Sequence, residues 1–540
     1  MAVREAVGTG AAIPYRDTKE KVFGQASSVK SKKRLWEKLF PYLVYPALEL
    51  QSRLNYANTE DFLFVPEDLS TKRHIYPETI ALAGHIVGVS VLFVAAFSWL
   101  TGTSAAVIVS ACVALFYLVL MAFKLRVVYE SLRRRPLEVS ARELAAIDER
   151  RLPPYTILVP LYKEADVMEQ IIAAMTAIDY PRDKLQILIT LERYDRETIE
   201  ALERARPPRH IRPVLLPDVT PKTKPKALNV AFRKITGKYV VIYDAEIIPD
   251  PDQLKKACAI FERRPDIACL QTRLDHYNAE QNLVTKLFNA EFAFYYDLFL
   301  LGLQQFGYPM PLSGHSTHFR RDALEAIGAW DPYNVTEDCD VGIRLSRLGY
   351  RTEILDSMSK EEATSDVPSW IRQRSRWMKG FVQTSIVHLR HPLLFKRQIG
   401  GWAKLVAFLL TVPGTVALNI CNVFYWLLLA GWLATHSALI QSFFPGPIFF
   451  ISVTSFLLGN ALFTYFNLVA AYGRGRYALV KYSLASPLYW LLLAAATLKG
   501  MLQLITKPHH WEKTKHGTHL KKAVPEEPAA LGDEPATVNA

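Results

Sequence analysis

The sequence predicts an α/β domain inserted between membrane-spanning helices, and three observations carry that expectation. Apolar residues, 50% of the 540, concentrate in two runs near residues 79–123 and in a broad block at about 404–505. Each of the two runs is long enough to cross a hydrocarbon core of about 30 Å. Between the run pair and the block, short β-branched segments alternate with helical ones, as in a mostly parallel sheet with crossover helices.

Residues 1–77 read as a cytosolic N-terminal region. Through residue 34 they are small, charged and without period, hence partly disordered. Residues 35–65 alternate aromatic and charged side chains (Trp36, Phe40, Tyr42, Tyr45) and lie on the membrane surface or form a packed helical pair. No short apolar stretch with a small-residue cleavage site follows Met1, so no cleavable signal peptide is expected. Residues 78–124 form a transmembrane hairpin whose spans, 79–100 and 104–123, are parted only by Thr101, Gly102 and Thr103. His85 within it reads as a packing histidine.

The net charge is +12, from 64 Lys and Arg against 52 Asp and Glu. Nucleic acid, an anionic membrane surface or a phosphate-bearing substrate could each explain such an excess. Its placement decides: Lys30, Lys32, Lys33 and Arg34 precede the hairpin, and Lys124, Arg126, Arg133, Arg134 and Arg135 follow it. By the positive-inside rule both flanks are cytosolic. No nucleic-acid partner is expected, because the aromatics follow membrane spacing and no stacking module is visible. The five cysteines lack C-x-x-C spacing, which points to free thiols and no structural zinc.

Residues 150–365 supply the α/β domain. "YTILVP" and "LQILITLE" read as buried strands, "ADVMEQIIAAM" and "KALNVAFRKI" as helices, and "YVVIYDAE" as a third strand. Ligands bind beyond the carboxyl ends of such strands, where Glu164, Glu192 and Asp244 fall. Residues 366–403 read as interfacial helices. The block at 404–506 begins with a long run, 405–433, interrupted at Pro413 and Gly414. A clear span at 448–472 follows, then a cytosolic turn with Arg474 and Arg476. The last run, 484–505, holds Pro487 and Lys499 and leads to a basic segment. Either 405–433 crosses twice, or the last run re-enters without crossing. Residues 507–540 read as a cytosolic tail, partly disordered.

Three clusters bear chemistry. In "YDAEIIPDPDQL", Asp244 and Glu246 are two apart after an apolar strand and project to one side if extended, as two hard ligands for Mg²⁺ or Mn²⁺. The bland alternative is a strand-end turn with solvated carboxylates. In "NVTEDCDVGIRLSRLGYR", Glu337 and Asp338 precede a helix, and helix capping is the simpler reading in isolation. In "SWIRQRSRWMKG", Gln373, Arg376 and Trp377 are either a basic membrane flank or a phosphate clamp beside a flat sugar platform.

Together these segments resemble the membrane-bound family 2 glycosyltransferases, whose processive members include cellulose, hyaluronan and chitin synthases. "VPLYKEAD" resembles the opening strand with its nucleotide contact at Pro160, Tyr162 and Glu164. "YDAE" resembles the acidic metal motif, "TED" (Thr336, Glu337, Asp338) the base motif, and "QRSRW" the Q-x-x-R-W motif. Four landmarks in order cover about residues 70–517. The resemblance implies a GT-A-type domain in a multi-pass bacterial inner-membrane enzyme with a cytosolic catalytic domain, making a β-linked polysaccharide from a UDP- or GDP-sugar.

The resemblance makes Asp338 the general base, places Asp244 and Glu246 on the metal, and sets Gln373, Arg376 and Trp377 at the diphosphate and the acceptor sugar. Lys226 in "TKPKALN" resembles the basic residue near the nucleotide. Ser313, Gly314 and His315 occupy the acceptor-side loop. Two departures stand out: Glu246 replaces a usual Asp, and "LERYD" replaces an Asp-Asp pair, so that Glu192 or Asp195, with Asp195 favoured, contacts the nucleotide. The tail "HHWEKTKHG" resembles a bacterial exopolysaccharide-synthase subgroup, and no appended nucleotide-sensing module is expected after it. Control would come from other envelope polysaccharide-export subunits. UDP-glucose is the first donor implied, ahead of GDP-mannose and UDP-N-acetylglucosamine. The competing functions are a non-processive enzyme adding one sugar to a lipid or oligosaccharide, and a catalytically inactive envelope scaffold.

Overall fold

A computed structural model describes residues 65, 69–71, 75–219 and 221–512, with the backbone alone at 75–83 and 85–87. The expectations for residues 1–34, for most of 35–65 and for the far tail lie outside the described residues.

Eight strands form one sheet: β1 (Tyr155–Leu161), β2 (Leu185–Glu192), β3 (Ile211–Leu216), β4 (Tyr239–Ile242), β5 (Ile248–Pro249), β6 (Ile267–His276), β7 (Thr317–Arg320) and β8 (Arg351–Glu361). Their order is β3-β2-β1-β4-β7-β6-β8-β5. The half from β3 to β4 is parallel, as the alternation of strands and helices implies. Beyond it the sheet is mixed, because β7 runs antiparallel to both β4 and β6.

Strand periodicity sorts the core. Leu158 and Leu188 point to one face, with Val127, Leu300 and Trp330. Ile157, Val159, Ile187 and Ile189 point to the other, with Met168, Leu254 and Phe261. Successive side chains of a strand face opposite sides, so a sheet covered on both faces reads as a continuous apolar run. The first core also takes in Tyr489, Leu493 and Ala496 near the chain's far end. The sheet and the apolar helices therefore share one interior.

The hairpin comprises α1 (Ile75–Thr101) and α2 (Ala105–Ser131), with Ser104 capping α2. After the sheet come α3 (Glu337–Arg347), α4 (Val367–Leu389), α5 (Trp402–Thr411), α6 (Pro413–Thr435), α7 (Gly446–Gly473) and α8 (Ser486–Thr506). Among the described residues, four helical stretches are long and apolar enough to cross a membrane: α2, α6, α7 and Tyr477–Thr506. The turn after α7 is tied to the α/β domain, with Arg474 on Asp297 at 2.6 Å and Arg476 on Asp275 at 2.6 Å.

Helix α8 lies along α4, so close that a β-carbon on Gly500 would meet the Ser375 carbonyl oxygen at 2.6 Å. Near its start Tyr489 hydrogen-bonds Glu291 of the α/β domain, and just past its end Pro508 O accepts from Gln383 of α4. This helix of 21 residues, about 30 Å long, is thus held near its start by the α/β domain and just past its end by α4.

Candidate active site

Strands β1, β2 and β4 end at one edge of the sheet, and the loops leaving them line a cavity of about 700 Å³. From β1 come Pro160, Tyr162 and Glu164; from β2 come Glu192 and Tyr194. The rings of Tyr162 and Tyr194 meet edge to face at 6.1 Å.

Asp244 and Glu246 both line the cavity, but not through strand alternation. Strand β4 stops at Ile242, and Ala245 and Glu246 form a turn that swings the second acid back to the first. Burial, with Asp244 and Glu361 adding repulsion, pushes the Glu246 carboxyl up to about 8. Lys224 Nζ lies 2.5 Å from Asp244 Oδ1 and donates to Gly314 O at 2.7 Å. Burial works against the Lys224 charge, but Asp244 and Glu337 outweigh it and hold the ammonium above its ordinary value.

Thr336, Glu337 and Asp338 open α3 on the opposite wall. Thr336 makes no side-chain capping bond, while Glu337 and Asp338 stand in the first turn of the helix, where acids are favoured, and both also line the cavity. Asp338 Oδ1 accepts from the Cys339 N–H at 2.7 Å, and a β-carbon placed on Gly314 would sit 3.1 Å from Asp338 Oδ2 and 3.2 Å from Lys224 Nζ. The two acidic motifs thus face one another across Gly314. Burial raises Asp338, and burial with the Asp338 charge pushes Glu337 up to about 8.

Ser313, Gly314 and His315 form a third wall. Ser313 Oγ donates to Gln271 at 3.0 Å, and His315 Nε2 sits 2.9 Å from Glu361, which also contacts His276 at 3.2 Å. Burial disfavours the His315 charge, but Glu361 outweighs it and raises the imidazole above its usual range. Gln373, Arg376 and Trp377 of α4 complete the enclosure.

Two expectations are corrected. Lys226 is wholly buried and donates to Glu192 Oε1 at 2.7 Å and Val219 O at 3.3 Å, whereas Lys124, Lys222 and Lys224 line the cavity. Asp195 caps the helix Arg196–Ala205 and accepts from the Lys163 N–H at 2.5 Å, and it is Glu192 that lines the cavity. Residues that the sequence did not single out also line the cavity: Lys222, Lys224, Tyr194, Glu361, and His509, His510 and Trp511 from beyond α8. This terminal strap is pinned by Lys379 on His510 O at 2.9 Å and His509 against Tyr333 O at 2.9 Å, and the Arg376 guanidinium lies 4.2 Å over the Trp511 ring. Thr411, Thr415 and Leu493 of the apolar helices line the same cavity.

Helix α4 meets the loop before α3 at Gly380, where a methyl group would overlap the buried Thr336 side chain. Gly380→Ala should therefore cost about 1–3 kcal/mol of stability, through displacement of Thr336. Denaturant unfolding of wild type and variant checks this, and equal stabilities would contradict it.

Residues 153–380 match the family profile described as glycosyltransferase like family 2. The probable glycosyltransferase YdaM of Bacillus subtilis (strain 168) is 25% identical over 234 residues, 43% of this chain and 56% of that protein. Cellulose synthase 2 of Novacetimonas hansenii is 29% identical over 298 residues, 53% of this chain and 18% of that protein. The chain thus spans little more than half of the first relative and under a fifth of the second. Among solved structures, the mannosyltransferase PcManGT from Pyrobaculum calidifontis, in complex with GDP-Man and Mn²⁺, is 20% identical, covering 73% of this chain and 99% of that one with a TM-score of 0.44.

Proposed function

We propose that this chain, which carries a family 2 glycosyltransferase domain at residues 153–380, is a bacterial inner-membrane hexosyltransferase that extends a β-linked polysaccharide from a nucleotide-sugar. The observation that carries this reading is one cavity lined both by Asp244, Glu246 and Asp338 and by Thr411, Thr415 and Leu493 of the apolar helices. An enzyme adding one sugar to a small acceptor needs the acids but no extension toward apolar helices. A growing polymer needs both, so the reading is processive and coupled to export.

The tyrosine pair beside Glu192 suits a nucleotide base and ribose, and Lys224, Gln373 and Arg376 suit the diphosphate. Trp377, with Ser313, Gly314 and His315, faces the acceptor sugar. Asp244 and Glu246 fit Mg²⁺ or Mn²⁺: both are hard carboxylate ligands, and the repulsion that raises Glu246 is what a divalent ion would relieve. Among the described residues no cluster of three or more His, Cys, Asp or Glu is set to hold a metal, so substrate phosphates would complete the coordination. Bound there, the ion would neutralise charge on the departing diphosphate. Asp338 takes the proton of the acceptor hydroxyl as that oxygen attacks the anomeric carbon from the face opposite the leaving group. One such displacement inverts an α-linked donor to a β-linkage. The catalytic domain lies on the cytosolic side, where nucleotide-sugars are available.

UDP-glucose, GDP-mannose and UDP-N-acetylglucosamine, offered in turn to the purified chain, should separate by release of UDP or GDP. One donor should dominate, and chelation should lower its turnover at least tenfold, with recovery on adding Mg²⁺ or Mn²⁺. No release from any nucleotide-sugar would contradict the reading and favour an inactive scaffold.

A further inference from the structure

Trp377 does not set its own orientation. On α4, Trp370, Arg374 and Trp377 fall at i, i+4 and i+7, so the three share one face. The Arg374 guanidinium lies 4.4 Å over the Trp377 ring and 4.4 Å over the Phe288 ring, with Trp370 at 5.3 Å. Phe292 stacks on the same indole at 6.2 Å and 22°. A guanidinium placed flat on an indole fixes the ring plane only if something fixes the guanidinium. Glu291 does so through two parallel bonds, from Nη1 to Oε1 at 2.9 Å and from Nη2 to Oε2 at 2.5 Å. Tyr489 of α8 locks the pair from the apolar side, donating to Glu291 Oε2 at 2.7 Å and accepting from Arg374 Nη2 at 3.1 Å.

We infer that Glu291 and Arg374 are positioning residues that hold the Trp377 indole in the plane that receives the acceptor sugar, and that Tyr489 links this plane to α8. The inference rests on the proposed reading of Trp377 as the acceptor platform. A largely buried ion pair is weak evidence for stability, since its desolvation cost offsets most of its attraction. Its geometry is the better account of its place here. The planar fork matches the carboxylate on its edge and the indole on its face, which an apolar pair of equal volume would not do. Arg374 and Glu291 both reach the cavity wall beside Trp377.

The test uses the full-length chain in detergent, with the donor selected by the screen above, UDP-glucose in the first instance, and a short β-linked oligosaccharide of that sugar as acceptor. Variants Glu291→Gln, Arg374→Lys and Trp377→Ala are compared by KM for acceptor, KM for donor, and acceptor-independent release of the nucleoside diphosphate. The expected result is an acceptor KM raised about tenfold in Glu291→Gln and Arg374→Lys, with donor KM and acceptor-independent release within about twofold of wild type. Arg374→Lys keeps the charge but loses the fork and the stacked plane, so a defect there assigns the effect to geometry. If Trp377→Ala raises the acceptor KM while the other two leave it unchanged, the inference fails and the platform reading stands. If Trp377→Ala leaves it unchanged, the platform reading fails and the inference falls with it. A parallel loss of donor and acceptor parameters with lowered thermal stability would mark the pair as structural only.

Discussion

Replacing Asp338 by Asn should lower the rate of sugar transfer by about 10²–10⁴-fold while the protein stays folded and still binds its donor. The substitution is close to isosteric, and an amide oxygen can still accept the Cys339 N–H that now bonds Oδ1 at 2.7 Å. What it removes is the capacity of Oδ2, facing Gly314 and Lys224, to take a proton. Rapid transfer by a folded Asp338→Asn protein would remove Asp338 from the mechanism. The wild-type pH profile carries the same assignment. Burial raises the Asp338 pKa, while the Cys339 N–H, Lys224, Arg376 and His315 pull against it without cancelling the shift. A base works only when deprotonated, so transfer should fade on acidification through a value above the ordinary carboxylate range near 4. Rates unchanged down to that range would contradict the assignment.

Asp340→Ala should cost about 3–5 kcal/mol of stability, the largest structural effect expected of a single substitution near the site. Asp340 is wholly buried and pairs with Arg344 at 2.7 Å and with His388 of α4 at 2.9 Å. Its removal takes the carboxylate from the Arg344 guanidinium, 2% exposed, and leaves it donating to the Ile327 carbonyl at 2.6 Å. It also unpins α4 from α3 two residues beyond the base. Burial opposes the Asp340 charge, but Arg344 and His388 outweigh it and hold the carboxyl below its ordinary value. Burial lowers His388 to about 4. Both shifts act in one direction. The folded state binds fewer protons than the unfolded chain, so stability should fall with acidification, first below about 6.5 where an unfolded histidine protonates and then through the carboxylate range. Denaturant unfolding of wild type and Asp340→Ala at several pH values checks the size and the sign. A loss under about 1 kcal/mol would show that the pair is replaceable.

The hairpin, the strands "YTILVP" and "LQILITLE" and the α/β architecture were legible because each rests on local periodicity and run length. The Asp244–Glu246 pairing was reached by the wrong local route. Alternation along a strand was expected to align them, and a turn does so instead. The choice between Lys224 and Lys226 was not legible from spacing, since residues two apart on a helix point about 200° apart and only the helix phase decides which faces the cavity. Asp195 did carry a readable signal: an Asp three residues before Thr198 at the start of "RETIEALERA" is an N-cap pattern. The strap His509-His510-Trp511 and the Glu361 contact with His315 were invisible, because both depend on segments distant in sequence that only tertiary packing brings to the cavity. The same holds for Arg374, which sits inside a recognised motif but takes its partner from Glu291, more than eighty residues away.

The product made from a radiolabelled nucleotide-sugar by the purified full-length chain tests most directly whether the acidic cavity and its extension toward the apolar helices work as one polymerising site. Resolved by length after brief reaction with donor in excess, it should contain long β-linked chains beside unextended acceptor, and Asp338→Asn should abolish both long and short products. Acceptor carrying a single added sugar, at every time and donor concentration, would contradict it.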